Sequence, residues 1–196
     1  ENDDRDIFFA LLKNPSLPPS VFSVLAKKTP LDWDFTDHPR APLTFILQRL
    51  IRDDLYQKGD PDYEEFQALL AMRGKASDGQ ILDFMSRAKN FSLVKIAARN
   101  AATPPASLRA LYLRSKADKS VGESIKQYLA ENPSLPAEIM EALSHEKEND
   151  IRAHLAENSN CPKAVLERLA KDQERYVAEK AMKTYYYKNG GVLLRP

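Results

Sequence analysis

One stretch of this chain is written twice. Ile125-Lys126-Gln127-Tyr128-Leu129-Ala130-Glu131-Asn132-Pro133-Ser134-Leu135-Pro136 returns, 26 residues later, as Ile151-Arg152-Ala153-His154-Leu155-Ala156-Glu157-Asn158-Ser159-Asn160-Cys161-Pro162. A second apolar-periodic run follows each copy, Ile139 to Leu143 and Val165 to Leu169. A period of this length marks a stacked array of supersecondary units, none of which can bury its apolar face alone.

With the Asn-Pro-x-x-Pro signature as an anchor, further copies fall at Asn14, His38, Arg73 and Asn100, beside Asn132 and Asn158. Three residues before the anchor stand Leu11, Phe35, Leu70, Ala97, Leu129 and Leu155. Seven before it stand Ile7, Leu31, Phe66, Leu93, Ile125 and Ile151. A spacing of four puts both positions on one face of a helix, helix A. Between them and the anchor lie Leu12, Ala71, Ala98, Ala130 and Ala156, mostly small enough for neighbouring helices to approach closely.

The anchor is expected to end helix A, because Asn tolerates the left-handed conformation and a following Pro cannot continue a helix. Pro18, Pro42, Pro104, Pro136 and Pro162 then suit the first position of helix B, with Thr103 as an N-cap before one of them. Helix B carries apolar pairs at Phe22 and Leu25, Ile46 and Leu50, Ile81 and Phe84, Leu108 and Leu111, Met140 and Leu143, and Leu166 and Leu169. Most of the 13 prolines therefore punctuate the repeat and do not signal disorder.

The expected architecture is all-α: a right-handed superhelical α-solenoid of about six two-helix repeats, with no strands. The repeats lie near residues 6–28, 31–56, 63–89, 91–113, 122–146 and 148–172, with a capping helix over 175–184. All belong to one domain of residues 1–187, and 188–196 form a tail. Two repeats are degenerate. The Asp-rich Leu31-Asp32-Trp33-Asp34-Phe35 favours a 3₁₀ turn over a full helix A. The third repeat has lost both prolines and offers Ser77 as the N-cap of its helix B. A turn-rich insertion over 57–62 precedes it, and Leu113 to Ser120 is expected as an exposed charged connector.

The pattern Ile/Val-Arg-x-x-Leu-Ala-x-Asn-Pro-x-x-Pro-x-x-(Val/Ile)-Leu-x-x-Leu-Ala resembles the variant leucine-rich repeat, an α-solenoid family. Ile151 to Lys171 is the best copy; Ile125 to Ser144, Leu93 to Tyr112 and Ile7 to Lys27 follow. The resemblance implies α-helices alternating with 3₁₀ helices in a right-handed superhelix, and a role in binding another macromolecule. Some members hold an iron–sulfur centre on an N-terminal cysteine cluster. This chain lacks such a cluster, so no cofactor is expected.

Nor do the residues spell out a reaction, and the chain is expected not to be an enzyme. Cys161, the one cysteine, occupies a corner position held by Leu17, Thr103 and Leu135 in sister repeats, and suits a small half-buried residue. A lone cysteine forms no internal disulfide, which fits a reducing, cytoplasmic compartment. His38, His145 and His154 have no metal-ligand spacing. His38 replaces a corner Asn, and His154 falls on an exposed helix-A position shared with Tyr128 and Lys180. Asp32, Asp34, Asp37, Asp53, Asp54, Asp60 and Asp62 suit a solvated face. No apolar run approaches membrane-spanning length, so no membrane partner is expected, and no small-molecule substrate is inferred.

Charge is balanced overall, at +1, but not locally. From Arg87 to Lys126 nine basic residues face two acidic ones, for a segment charge of +7. Solenoids bind along corresponding positions of successive repeats. The expected function is thus a non-catalytic interaction module with a protein partner; the alternative is nucleic-acid backbone binding through residues 87–126. The candidate binding residues are Arg87, Lys89, Lys95, Arg99, Arg114, Lys116, Lys119, Lys126 and Arg152. No catalytic or metal-ligating residue is assigned.

Overall fold

The structure, a computed structural model, describes Pro18, Val21 and residues 38–39, 41–52, 62–72 and 74–190. The first repeat, the 3₁₀ turn expected over Leu31 to Phe35, most of the acidic stretch and of the insertion, and the end of the tail lie outside these residues. Among the described residues every regular element is an α-helix, and there is no strand. The helices are α1 (Leu43–Arg52), α2 (Tyr63–Met72), α3 (Asp78–Arg87), α4 (Phe91–Arg99), α5 (Pro105–Ala117), α6 (Gly122–Glu131), α7 (Ala137–Leu143), α8 (Asn149–Glu157), α9 (Lys163–Leu169) and α10 (Arg175–Lys188). Helix B of each pair is α-helical, where the family resemblance implies 3₁₀. The chain divides into two compact units, Glu1–Thr103 and Pro104–Pro196, and the boundary falls within the fourth repeat's corner.

In the second unit α6, α8 and α10 pack in succession, with α7 and α9 following their respective helices A and α9 also packing on α10. The core is the stripe expected from the spacing. Ile125 and Leu129, and Ile151 and Leu155, are fully buried, as are Leu143, Leu166 and Leu169 or nearly so, and in α10 Val177 and Ala181 extend the same stripe. Each such aliphatic side chain contributes roughly 1.5–3 kcal/mol. Ala130 and Ala156 are fully buried, as helices at close approach require.

The corner works differently from the expectation. Asn100, Asn132 and Asn158 have φ, ψ of −71°, 128°; −72°, 118°; and −67°, 117°, which is extended and not left-handed backbone. Each side-chain oxygen accepts a hydrogen bond from the N–H two residues on, at Ala102 (2.9 Å), Ser134 (2.8 Å) and Asn160 (2.9 Å). Each main-chain carbonyl accepts from the N–H three residues on, at Thr103, Leu135 and Cys161. The asparagine thus folds the backbone around itself in an Asx turn, a role that needs no positive φ. His38 keeps the second of these bonds, its carbonyl accepting from Ala41 N at 3.0 Å.

The corner prolines also shift by one place. Pro104, Pro136 and Pro162 sit at the N-cap with ψ of 142°, 138° and 146°, and helix B begins at the next residue. Their carbonyls accept the first helical bonds, from Leu108, Met140 and Leu166. Thr103 is not a cap. Its hydroxyl donates back to the Ala97 carbonyl at 2.6 Å, satisfying an orphan acceptor of helix A.

The third repeat slips by one residue. The Met72 carbonyl accepts from Lys75 N and Ala76 N at its corner. Leu69 is accordingly the fully buried residue, whereas Leu70 is half-buried and Ala71 exposed. Gly74, at φ 70°, supplies the left-handed residue that the missing proline corner would have made unnecessary. Ser77 caps α3 as expected, in a capping box with Gln80.

Helix α5 runs on to Ala117, through much of the segment expected as a connector. No Gly or Pro interrupts it, and Arg114 and Lys116 suit the negative end of the helix dipole. Gly122 opens α6 so close to α5 that a Cβ there would lie 2.2 Å from the Ser115 carbonyl oxygen, leaving no room for any other residue.

Candidate interaction surface

The asparagine side chains reach into earlier repeats, Asn158 into the one before its own and Asn100 into the second, two before its own. Asn158 Nδ2 donates to the carbonyls of Ala130 (2.8 Å) and Asn132 (2.9 Å). Asn100 Nδ2 donates to the Ala41 carbonyl at 3.1 Å. Both asparagines are buried. The acceptors lie at a helix end or corner, where backbone carbonyls lack intrahelical partners. Asn160 Nδ2 adds a bond to the Pro133 carbonyl at 2.6 Å.

A second device closes two of the repeats on themselves. Arg152 Nε and Nη2 donate to the two carboxylate oxygens of Asp172 at 2.7 and 2.9 Å, and Nη1 donates to the carbonyls of Glu146 and Lys147. One repeat earlier, Lys126 meets Glu146 at 2.7 Å, at the same separation of 20 residues. Arg152, expected at a binding surface, is therefore corrected: it is only 6% exposed, and its guanidinium is spent fastening the exit of helix B to the start of helix A. Lys126 is likewise corrected, because its ammonium is largely buried against Glu146. The hydrogen bonds from Arg152, and after them that from Glu174 N, hold the Asp172 carboxyl below its ordinary range.

The remaining candidates divide between the two units. In the first, Arg87 is exposed and pairs with Asp83 on its own helix, and Lys89 is exposed. The Lys89 and Asn90 N–H groups both donate to Glu65, at 2.7 and 3.0 Å, as α4 begins. Lys95 and Arg99 are half-buried, against the expectation of exposed positions. In the second unit Lys119 is exposed, Arg114 is half-buried, and Lys116 lies 4.3 Å over the Tyr112 ring. Arg109 pairs with Glu138 at 2.7 Å.

Along the outer side of the helices A, corresponding positions pair from one repeat to the next. His154 Nδ1 stands 3.4 Å from Glu131, and Lys180 Nζ 3.0 Å from Glu157. Tyr176 donates its hydroxyl to Asp150 at 3.2 Å. Tyr128 lies on the same strip, half-buried, at the position His154 and Lys180 take in later repeats. The surface that results is of mixed sign, with aromatic rings between the charges.

Cys161 is fully buried, more deeply than the half-buried corner expected, and burial pushes its thiol up to about 12. A thiol so far above neutral pH holds almost no thiolate, the reactive form. Native protein should thus leave Cys161 unmodified by a thiol reagent at pH 8, and react fully once unfolded in urea. Rapid labelling of folded protein would contradict this placement. No group of three or more His, Cys, Asp or Glu side chains among the described residues could hold a metal ion.

No described helix is long and apolar enough to cross a membrane. Compared with known proteins, the chain matches no family model, no curated protein and no solved structure.

Proposed function

We propose that the chain is a non-catalytic helical-repeat module that binds another protein, its helix pairs continuing as a right-handed superhelix of about six repeats. The observation that carries this reading is the strip on α6, α8 and α10, where Tyr128, His154 and Lys180 recur in register with Glu131 and Glu157 alternating between them. Repeat arrays offer partners such extended rows of equivalent positions. Mixed signs and half-exposed aromatic rings suit a protein surface. They suit a phosphate backbone poorly, because Glu131, Asp150 and Glu157 would repel it.

The variant leucine-rich repeat resemblance is part of the proposal. It rests on the recurring sequence pattern, and the α-helical form of helix B departs from it. The nucleic-acid alternative draws on Lys89, Lys116 and Lys119, since Lys126 and Arg152 are engaged within their own repeats. Affinity capture with the wild-type chain and with Tyr128→Ala/His154→Glu, at low and high salt, tests the proposal. A protein retained by the wild type and lost by the variant is expected. Binding confined to DNA or RNA, and collapsing with salt, would overturn it in favour of the alternative.

A further inference from the structure

Five large apolar or aromatic side chains are exposed among the described residues, and four of them lie on α10. They are Tyr176 (37%), Met182 (42%), Tyr186 (38%) and Tyr187 (70%). The opposite side of α10, Val177, Ala181 and Tyr185, is buried. Arg175, Glu179, Met182, Lys183 and Tyr186 recur at intervals of three and four and share the outward face.

This face is not shaped for one more helix of the same array. Met182 stands where α6 has Ala130 and α8 has Ala156, both fully buried at close helix contacts. A methionine there holds a following helix away from that close approach, while offering a flexible apolar surface of another shape. Charge then says what shape of partner fits. Reading outward from the level of Ala181 in both directions, Glu179 and Lys183 are equidistant, and both lie on the outward face. Turned end for end, the face sets carboxylate against ammonium, once at each of two equivalent places.

We propose that two copies of this chain pair antiparallel through the exposed face of α10, with Glu179 of each copy opposite Lys183 of the other. The contact is isologous, so each charged pair occurs twice. Glu179 is held at present by Arg175 on its own helix at 2.7 Å, an exposed pair that is cheaply exchanged. Lys183 is exposed and has no ion-pair partner among the described residues. With 14 residues, α10 is about 21 Å long. One such helix face falls short of the roughly 800 Å² per partner of a tight complex, so the dimer is weak, with Kd of about 1–100 μM.

The test is sedimentation equilibrium of the whole chain from about one to several hundred micromolar, with circular dichroism confirming that each variant is folded. Wild type should move from monomer to dimer over that range. Glu179→Lys and Lys183→Glu should each weaken the dimer by about tenfold or more, since two attractions become two repulsions. Glu179→Lys combined with Lys183→Glu should return it to within about threefold of wild type, because the reversed charges again face their opposites. A chain monomeric throughout overturns the proposal. So does a dimer that ignores the single reversals, or one that the double reversal fails to restore, which would place the contact elsewhere or in another register.

Discussion

Asp172→Ala should destabilise the unit of residues 104–196 by about 3–5 kcal/mol, one of the largest effects of any single substitution outside the apolar core. The substitution leaves the Arg152 guanidinium buried with two donors unanswered, and the cost is that of the stranded charge rather than of the pair. Arg152→Met/Asp172→Leu should recover part of the loss, because no charge is left stranded, while the Glu146 and Lys147 carbonyls lose their Nη1 donor and Glu174 N its acceptor. Thermal unfolding followed by circular dichroism measures both. A fall of less than about 1 kcal/mol in the single variant would mean that water reaches the guanidinium and that the buried pair is not as described. Acid offers an independent reading. The Asp172 carboxyl is held below its ordinary pKa in the folded chain, so it adds stability above about pH 4 and loses it as pH falls through the depressed value. Asp172→Asn, already without that contribution at neutral pH, should show a shallower decline between neutral pH and acid.

Asn158 carries the second large effect, and the choice of replacement separates two explanations of why the residue is there. Asn158→Ala removes the donor shared by the Ala130 and Asn132 carbonyls and the acceptor for Asn160 N. The Asn132 carbonyl keeps its bond from Leu135 N, so the main penalty falls on Ala130 and on the lost Asx turn, about 2–4 kcal/mol together. Asn158→Asp preserves the Asx turn but cannot donate, and it sets a carboxylate oxygen against two carbonyl oxygens. If the asparagine served only its own corner, aspartate would be well tolerated at neutral pH. The contact across 26 residues predicts the reverse order, with aspartate worse than alanine. Urea midpoints of the two variants decide between them.

Much of this was legible before any coordinates. Helical periodicity located both helices of most described repeats, and the apolar spacing named most of the buried residues of α6 to α9 individually. The places where it misled share a cause. Asn132 and Asn158 were assigned a local backbone conformation, yet the Asn158 side chain spends itself on main-chain groups a repeat away. A main-chain acceptor has no residue type, so such a bond leaves no mark in sequence. The basic residue of helix A did leave one. Lys126 and Glu146 recur as Arg152 and Asp172, and that joint recurrence distinguishes an internal clasp from a row of ligand-seeking cations. The slip at Met72 follows from counting residues through a corner whose prolines are gone. The close approach at Gly122 depends on how two helices cross, which composition does not encode.

The reach of these contacts says how a chain of this kind can change its length. Each clasp closes over 20 residues, and the Asn158 amide looks back 26 to the preceding corner. A block of that size therefore carries with it every polar group needed to seal its own end and to greet whatever block precedes it. Copying such a block in tandem requires no compensating change in its neighbours, so growth by duplication is open at the junction between the repeats of residues 122–146 and 148–172. At the outer face of α10, where a methionine replaces the alanine of the two earlier blocks, the copying rule stops.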